Sequence, residues 1–235
     1  MTTTDKPWLV ITGTSSGIGA AMLDQIPAGY RVLSIARRDP AGPVDQHIKL
    51  DIADPNASGW RTLQNILVDQ HIQGVAHMAG ELGCRGSLMS QDIADWRQVF
   101  DVTLSGMLQL TQICWPGLLR MPHARVVLAT SGAARNKVPH VGAYGVAKAA
   151  MERFAEVLAI ESGEQGPRVV VVNPGPTATP MRAKVAPDED PASLPSAREI
   201  AQVYVAQLVG AIPSQASRIE ARQWLAERGS AEARR

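Results

Sequence analysis

Cysteine is scarce in this chain. Cys84 and Cys114 are the whole complement, far apart and with no C-x-x-C or His-rich spacing around either. That excludes a disulfide framework and a Cys-based zinc site, and suits a reducing compartment. Long apolar runs are also missing. The longest near the N-terminus, Trp8 to Ile11, is far too short to span a bilayer. The first six residues lack the basic start and apolar stretch of a signal peptide, so a cytoplasmic, non-membrane protein is expected. An excess of either charge is absent too. With 23 Lys+Arg against 22 Asp+Glu, the composition gives no reason to expect a nucleic-acid partner.

What is present is an alternation. Largely apolar β-type runs occur at residues 8–11, 31–35, 47–50, 74–78, 125–129 and 168–172. Runs of this kind suit parallel strands covered on both faces. Between them, Trp96, Val99, Phe100, Thr103, Met107, Leu110 and Cys114 recur at helical spacing, as do Ala147, Met151, Phe154, Val157 and Leu158. The spacing predicts helices over about residues 93–119 and 143–161, and a first helix cut short by Pro27. Strand–helix alternation from end to end implies one α/β domain over residues 1–235, a doubly wound parallel sheet in three α/β/α layers. Residues 186–196, rich in Pro, Asp and Glu, read as a mobile loop, and residues 230–235 as a frayed tail.

Directly after the first strand comes Thr12-Gly13-Thr14-Ser15-Ser16-Gly17-Ile18-Gly19, opening a helix. Glycines let the backbone turn sharply and approach a pyrophosphate, while the helix start offers free N–H groups and partial positive charge. The second strand ends Ile35-Ala36-Arg37-Arg38, with no carboxylate before Asp39. An acidic residue at this point would accept from a ribose 2′-hydroxyl, whereas a guanidinium can grip a 2′-phosphate with two hydrogen bonds. The pattern therefore favours NADP(H) over NAD(H), with Arg37 ahead of Arg38. Further on, Tyr144 and Lys148 stand four residues apart on one helical face. A free phenol ionises near ~10; a neighbouring ammonium and an oxidised nicotinamide ring would favour the phenolate and bring an acid/base role within reach.

In the spacing of its glycines and in the Tyr144–Lys148 pair, the chain resembles the short-chain dehydrogenase/reductase family. The likeness runs from residue 9 to residue 181, with each block in order, and includes weaker similarity of Ser131-Gly132-Ala133-Ala134 and Gly175-Pro176 to the sepiapterin- and benzil-reductase-like branch. It implies a Rossmann-type fold and an NADP(H)-dependent oxidoreductase acting on a small carbonyl or alcohol substrate. It implies phosphate-binding roles for Gly13, Ser15, Ser16, Gly17, Ile18 and Gly19, and adenine contacts from Asp51 and Ile52. Ala79-Gly80 would lie beside the cofactor ribose. Pro174, Gly175, Thr177 and Thr179 belong to a segment that binds the nicotinamide carboxamide and diphosphate. The family's catalytic serine falls at Ser131, thirteen residues before Tyr144; its neighbour Thr130 points to the other side of the strand.

Two positions depart from the family pattern. Thr103 stands where the family has the asparagine of its catalytic tetrad, which holds a water linking the lysine to solvent. The shorter hydroxyl is expected to turn to a local backbone carbonyl and to weaken or reroute that relay. His77-Met78 replaces an Asn pair, and His77 is expected to fill a core or sheet-spacing role. Substrate choice should rest on residues 133–141 and on a substrate loop over 181–198, with no metal. The resemblance also implies a homodimer or homotetramer built on the two long helices. A non-catalytic NADP-binding regulator is the alternative that Thr103 and His77 leave open.

Overall fold

The computed structural model describes residues 6–210 and 218–232. The first five residues, and residues 233–235 of the tail expected to fray, lie outside the described residues. In chain order the main elements are strand β1 (Trp8–Thr12), helix α1 (Gly17–Leu23), β2 (Arg31–Ala36), β3 (Gln46–Lys49), α2 (Gly59–Leu67) and β4 (Ile72–His77). Then follow α3 (Ile93–Phe100), a π turn (Asp101–Ser105), α4 (Gly106–Leu119), β5 (Arg125–Ala129) and α5 (Gly142–Ser162). The chain closes with β6 (Arg168–Asn173), α6 (Pro180–Val185), α7 (Ala197–Leu208), β7 (Arg218–Glu220) and α8 (Ala221–Glu232).

The strands form one parallel sheet in the order β3-β2-β1-β4-β5-β6-β7. Alternation along each strand divides the core in two. On one face Trp8 and Val10 of β1 pack with Trp60 and Leu63 of α2, Leu110 and Cys114 of α4, and Met151 of α5. On the other, Leu9 and Ile11 pack with Met22 of α1, Ile200 and Tyr204 of α7, and Ala221 of α8. This is the doubly wound, three-layer Rossmann-type fold. Its order turns outward in both directions from the β1/β4 boundary, and such a boundary leaves a crevice at the carboxyl ends of the strands.

Three features refine the sequence reading. The long helix over residues 93–119 is one rod interrupted by the π turn, where Gly106 crosses so close to β3's exit that a Cβ there would sit 2.1 Å from the Ile52 carbonyl oxygen. A wider turn lets the rod pass that backbone and resume α geometry. β7 was not foreseen, because Arg218-Ile219-Glu220 holds a single apolar residue. In the segment read as a mobile loop, Glu189 accepts from Arg182 at 2.8 Å and Asp190 caps a short 3-10 turn over Pro191–Ser193.

Candidate active site

The crevice at the strand ends is a cleft of about 240 Å³. One wall is the glycine turn. Gly13 takes a left-handed φ of +70°, and a Cβ there would stand 2.8 Å from Ala79 N. At Gly19 a Cβ would stand 2.5 Å from the Gly13 carbonyl oxygen. Side chains are thus excluded where the turn folds onto itself and onto Ala79, and the bare backbone of Gly17, Ile18 and Gly19 opens into the cleft with the first-turn N–H groups that an α-helix leaves unpaired. Ser16 caps α1 in extended geometry without a side-chain hydrogen bond, and with Ser15 lines the same wall.

Arg37 and Arg38 line the far end beside Asp51 and Ile52. The Arg37 guanidinium lies 3.3 Å from Glu81 and 3.9 Å from Asp51, with 59% of its side chain exposed. Glu81 was missed in the sequence, although it directly follows Ala79-Gly80. Opposite the glycine turn, Pro174 and Thr179 complete the wall; Thr179 caps α6 by accepting from Arg182 N at 3.2 Å, and its methyl group stands over Gly17. Such a cradle, with bare backbone at its middle and two cations at one end, fits a nicotinamide dinucleotide.

At the near end stand Tyr144 and Lys148. Lys148 is buried; its Nζ donates to the Ala129 carbonyl at 2.7 Å and lies 5.6 Å from the Tyr144 ring centre. Burial lowers its pKa to about 8. The Tyr144 phenol stands in the same part of the cleft. Burial raises its pKa above the ordinary value, and the force acting the other way is a hydrogen bond with Ser131. The lysine gives one of its N–H groups to Ala129, and its Nζ lies over the Tyr144 ring. At neutral pH the phenol holds its proton.

Ser131 follows β5, accepts from Ala133 N at 3.2 Å and meets Tyr144. Thr130, its neighbour, turns the other way and donates to Glu152 at 2.9 Å, as strand alternation requires. Ser131, Thr103, Gly175 and Thr177 do not line the cleft itself. Gly175 and Thr177 act within their own turn, where the Thr177 hydroxyl donates to the Gly175 carbonyl at 3.1 Å. Thr103 corrects an expectation. It is fully buried in the π turn, and its hydroxyl has no hydrogen-bond partner among the described residues, carbonyls included. In the wider turn the carbonyls that a helical threonine normally reaches are displaced. His77 is buried, with Nε2 3.0 Å from the Thr111 hydroxyl, and burial together with the Lys148 charge holds its pKa at about 3. It stands in the core as a neutral ring.

The family model for short chain dehydrogenases matches residues 7–190. The chain belongs to that family. An uncharacterized oxidoreductase of Escherichia coli K12, YciK, is 31% identical over 212 residues, which cover 84% of each chain. A short chain dehydrogenase from Salmonella enterica serovar Typhi superposes with a TM-score of 0.83 at 28% identity, over 94% of this chain and 99% of that one. Another, from Escherichia coli CFT073 and complexed with NADPH, gives 0.83 at 29% identity over 92% and 97%. Members of the family bind a nicotinamide cofactor and carry out oxidoreduction, and this chain shares their fold throughout. Among its described residues no helix is long and apolar enough to cross a membrane, and no group of three His, Cys, Asp or Glu is placed to hold a metal.

Proposed function

We propose that this chain is an NADPH-dependent reductase of small aldehydes or ketones, preferring NADP(H) to NAD(H). The observation that carries the reading is that Tyr144, hydrogen-bonded to Ser131 and followed one turn later by Lys148, stands at one end of a cleft whose other end holds Arg37 and Arg38. The NADPH complex of the Escherichia coli CFT073 relative supports the cofactor choice.

When bound, the cofactor supplies a hydride for the carbonyl carbon. Tyr144 gives its phenolic proton to the carbonyl oxygen, so that C=O becomes CH–OH and the phenol becomes phenolate. A phenol that is fully protonated at neutral pH suits donation, and hence reduction. Ser131 hydrogen-bonds the same oxygen and polarises it. Lys148, beside Gly80, orients the ribose and stabilises the phenolate left behind. Thr103 replaces the asparagine of the family's proton relay with an unpartnered hydroxyl, which slows resupply of the proton. Residues 181–198 serve as the substrate loop. Self-association as a homodimer or homotetramer is supported by the apolar Leu108 of α4 and Val146 and Ile160 of α5, all left exposed. A cytoplasmic setting agrees with Cys84 and Cys114 both being free thiols.

The test is absorbance-monitored turnover of NADPH against a panel of diketones, aldehydes and ketones, with cofactor binding followed by fluorescence. Tyr144→Phe should abolish turnover and leave NADPH binding intact. A wild-type protein that binds neither cofactor, or a Tyr144→Phe variant that keeps its turnover, overturns the reading.

A further inference from the structure

Behind the cleft runs a chain of charges that the reaction itself does not use. Tyr144, Lys148 and Glu152 follow one another at four-residue intervals along one face of α5. The Glu152 side chain is only 9% exposed, and its carboxylate accepts from three directions: Thr130 Oγ1 at 2.9 Å, Arg135 Nε at 2.7 Å and Arg218 Nε at 3.1 Å. Arg218 also pairs with Glu220. Glu220 accepts from the Asn173 side-chain amide at 2.6 Å, and the Asn173 side-chain oxygen accepts from Gly175 N at 3.2 Å.

The path therefore starts at the loop that bears Ser131, crosses α5 and β7, and ends in the turn whose Pro174 walls the cleft. Stability alone is a poor account of it. Removing Glu152 and Arg218 from water offsets much of their attraction, and Arg135, more than half exposed, adds little. A largely buried carboxylate held by three donors instead fixes relative positions, because its partners must all stay within reach of it at once. Glu152 grips the residue before Ser131 and the arginine four after it, so the peptides on both sides of the serine are tied to the helix that carries Tyr144.

We infer that Glu152 is a positioning residue for proton transfer, holding the 130–135 loop so that Ser131 stays in register with Tyr144, and linking that loop to the 173–175 turn. The inference rests on the reductase reading of Ser131 and Tyr144. It predicts an effect on the chemical step with little effect on cofactor affinity, since neither Glu152 nor its arginines line the cleft.

The experiment compares the full chain with Glu152→Ala, Glu152→Gln and Thr130→Val, measuring NADPH affinity by fluorescence, kcat and KM on the best carbonyl substrate of the panel, and melting temperature. Glu152→Ala should lower kcat roughly 10- to 100-fold, the cost of a misplaced reacting group, with NADPH affinity within about twofold of wild type. Glu152→Gln keeps an acceptor for Thr130 and should recover part of that loss. Thr130→Val, which deletes a single hydrogen bond and preserves shape, should lower kcat by a smaller factor; because Thr130 also lines the cleft, the loss counts only where NADPH affinity stays within about twofold, and this is the variant to read if Glu152→Ala does not fold. Wild-type kcat in Glu152→Gln and Thr130→Val overturns the inference while leaving the reductase intact. So does a loss of kcat that tracks cofactor affinity and melting temperature together, which marks a structural role. A wild-type chain inactive on the whole panel removes the reductase reading and this one with it.

Discussion

Replacing Arg37 with alanine should separate the two cofactors. In the structure the guanidinium is free to serve a ligand: 59% of the side chain is exposed, and its contacts are one ion pair to Glu81 at 3.3 Å and a looser one to Asp51 at 3.9 Å. Each charge-assisted hydrogen bond to a 2′-phosphate contributes about 1.5 kcal/mol at such an exposed site. Two of them give about 3 kcal/mol. Binding must first release the Glu81 and Asp51 contacts, which as surface pairs are worth about 1 kcal/mol together. The net is about 2 kcal/mol, or roughly 30-fold in affinity. Arg37→Ala should therefore weaken NADPH binding by roughly 30-fold and leave NADH within about twofold, since NADH offers no 2′-phosphate. Fluorescence titration with both cofactors, at low salt and at about 0.5 M, reads this directly. The gap between wild type and variant should narrow at high salt, where an exposed pair is screened. Equal losses for both cofactors would place Arg37 in general folding of the site, and no loss for either would remove it from recognition; each result refutes the argument.

Two further outcomes follow from the buried groups. Lys148 titrates at about 8 in the cleft, because burial disfavours its ammonium form. A bound ribose that accepts from Nζ favours that ammonium, so above about pH 8 binding must take up a proton. NADPH affinity should be flat below that point and fall by up to about tenfold per pH unit above it; His77, held neutral by a pKa of about 3, adds no titration there. A flat affinity up to about pH 9.5 would count against the assignment. Thr103→Asn should raise turnover or broaden the pH–rate profile, by returning an amide to the position of the unpartnered hydroxyl; an unchanged profile would show that Thr103 takes no part in the relay.

Much of this architecture is written locally in the chain. Val169 to Val172 is a strand on sight because parallel strands with helices on both faces need apolar residues at every position, and the two cores confirm both faces are covered. Arg218-Ile219-Glu220 carries no such mark: its charges serve Glu152 and Asn173, partners distant in sequence. The same division runs through the site. The glycine turn, the Tyr144–Lys148 spacing and the opposite facing of Thr130 and Ser131 are matters of backbone geometry, and short-range patterns express them. Glu152 sits one step further along the same stripe, yet nothing within its own helix announces arginines arriving from residues 135 and 218. The Thr103 hydroxyl was misjudged for a related reason: its state depends on burial within a π turn, which comes from how elements meet.

The π turn also sets a rule for how this chain can vary. A helix advances ~100° per residue, and the turn over Asp101–Ser105 holds one residue more than α geometry would. Side chains before it and after it are therefore phased as if by an insertion: Val99 packs against Ala143 and Ala147 of α5, while Leu110, Cys114 and Leu118 meet the sheet. Losing a single residue between 101 and 105 would let the rod close to regular α geometry with that stripe still on the sheet, whereas losing one within α4 before Leu110 would rotate the stripe by ~100°. Point substitutions in this rod are local events, and its length can change by one residue without rephasing the stripe only at the turn.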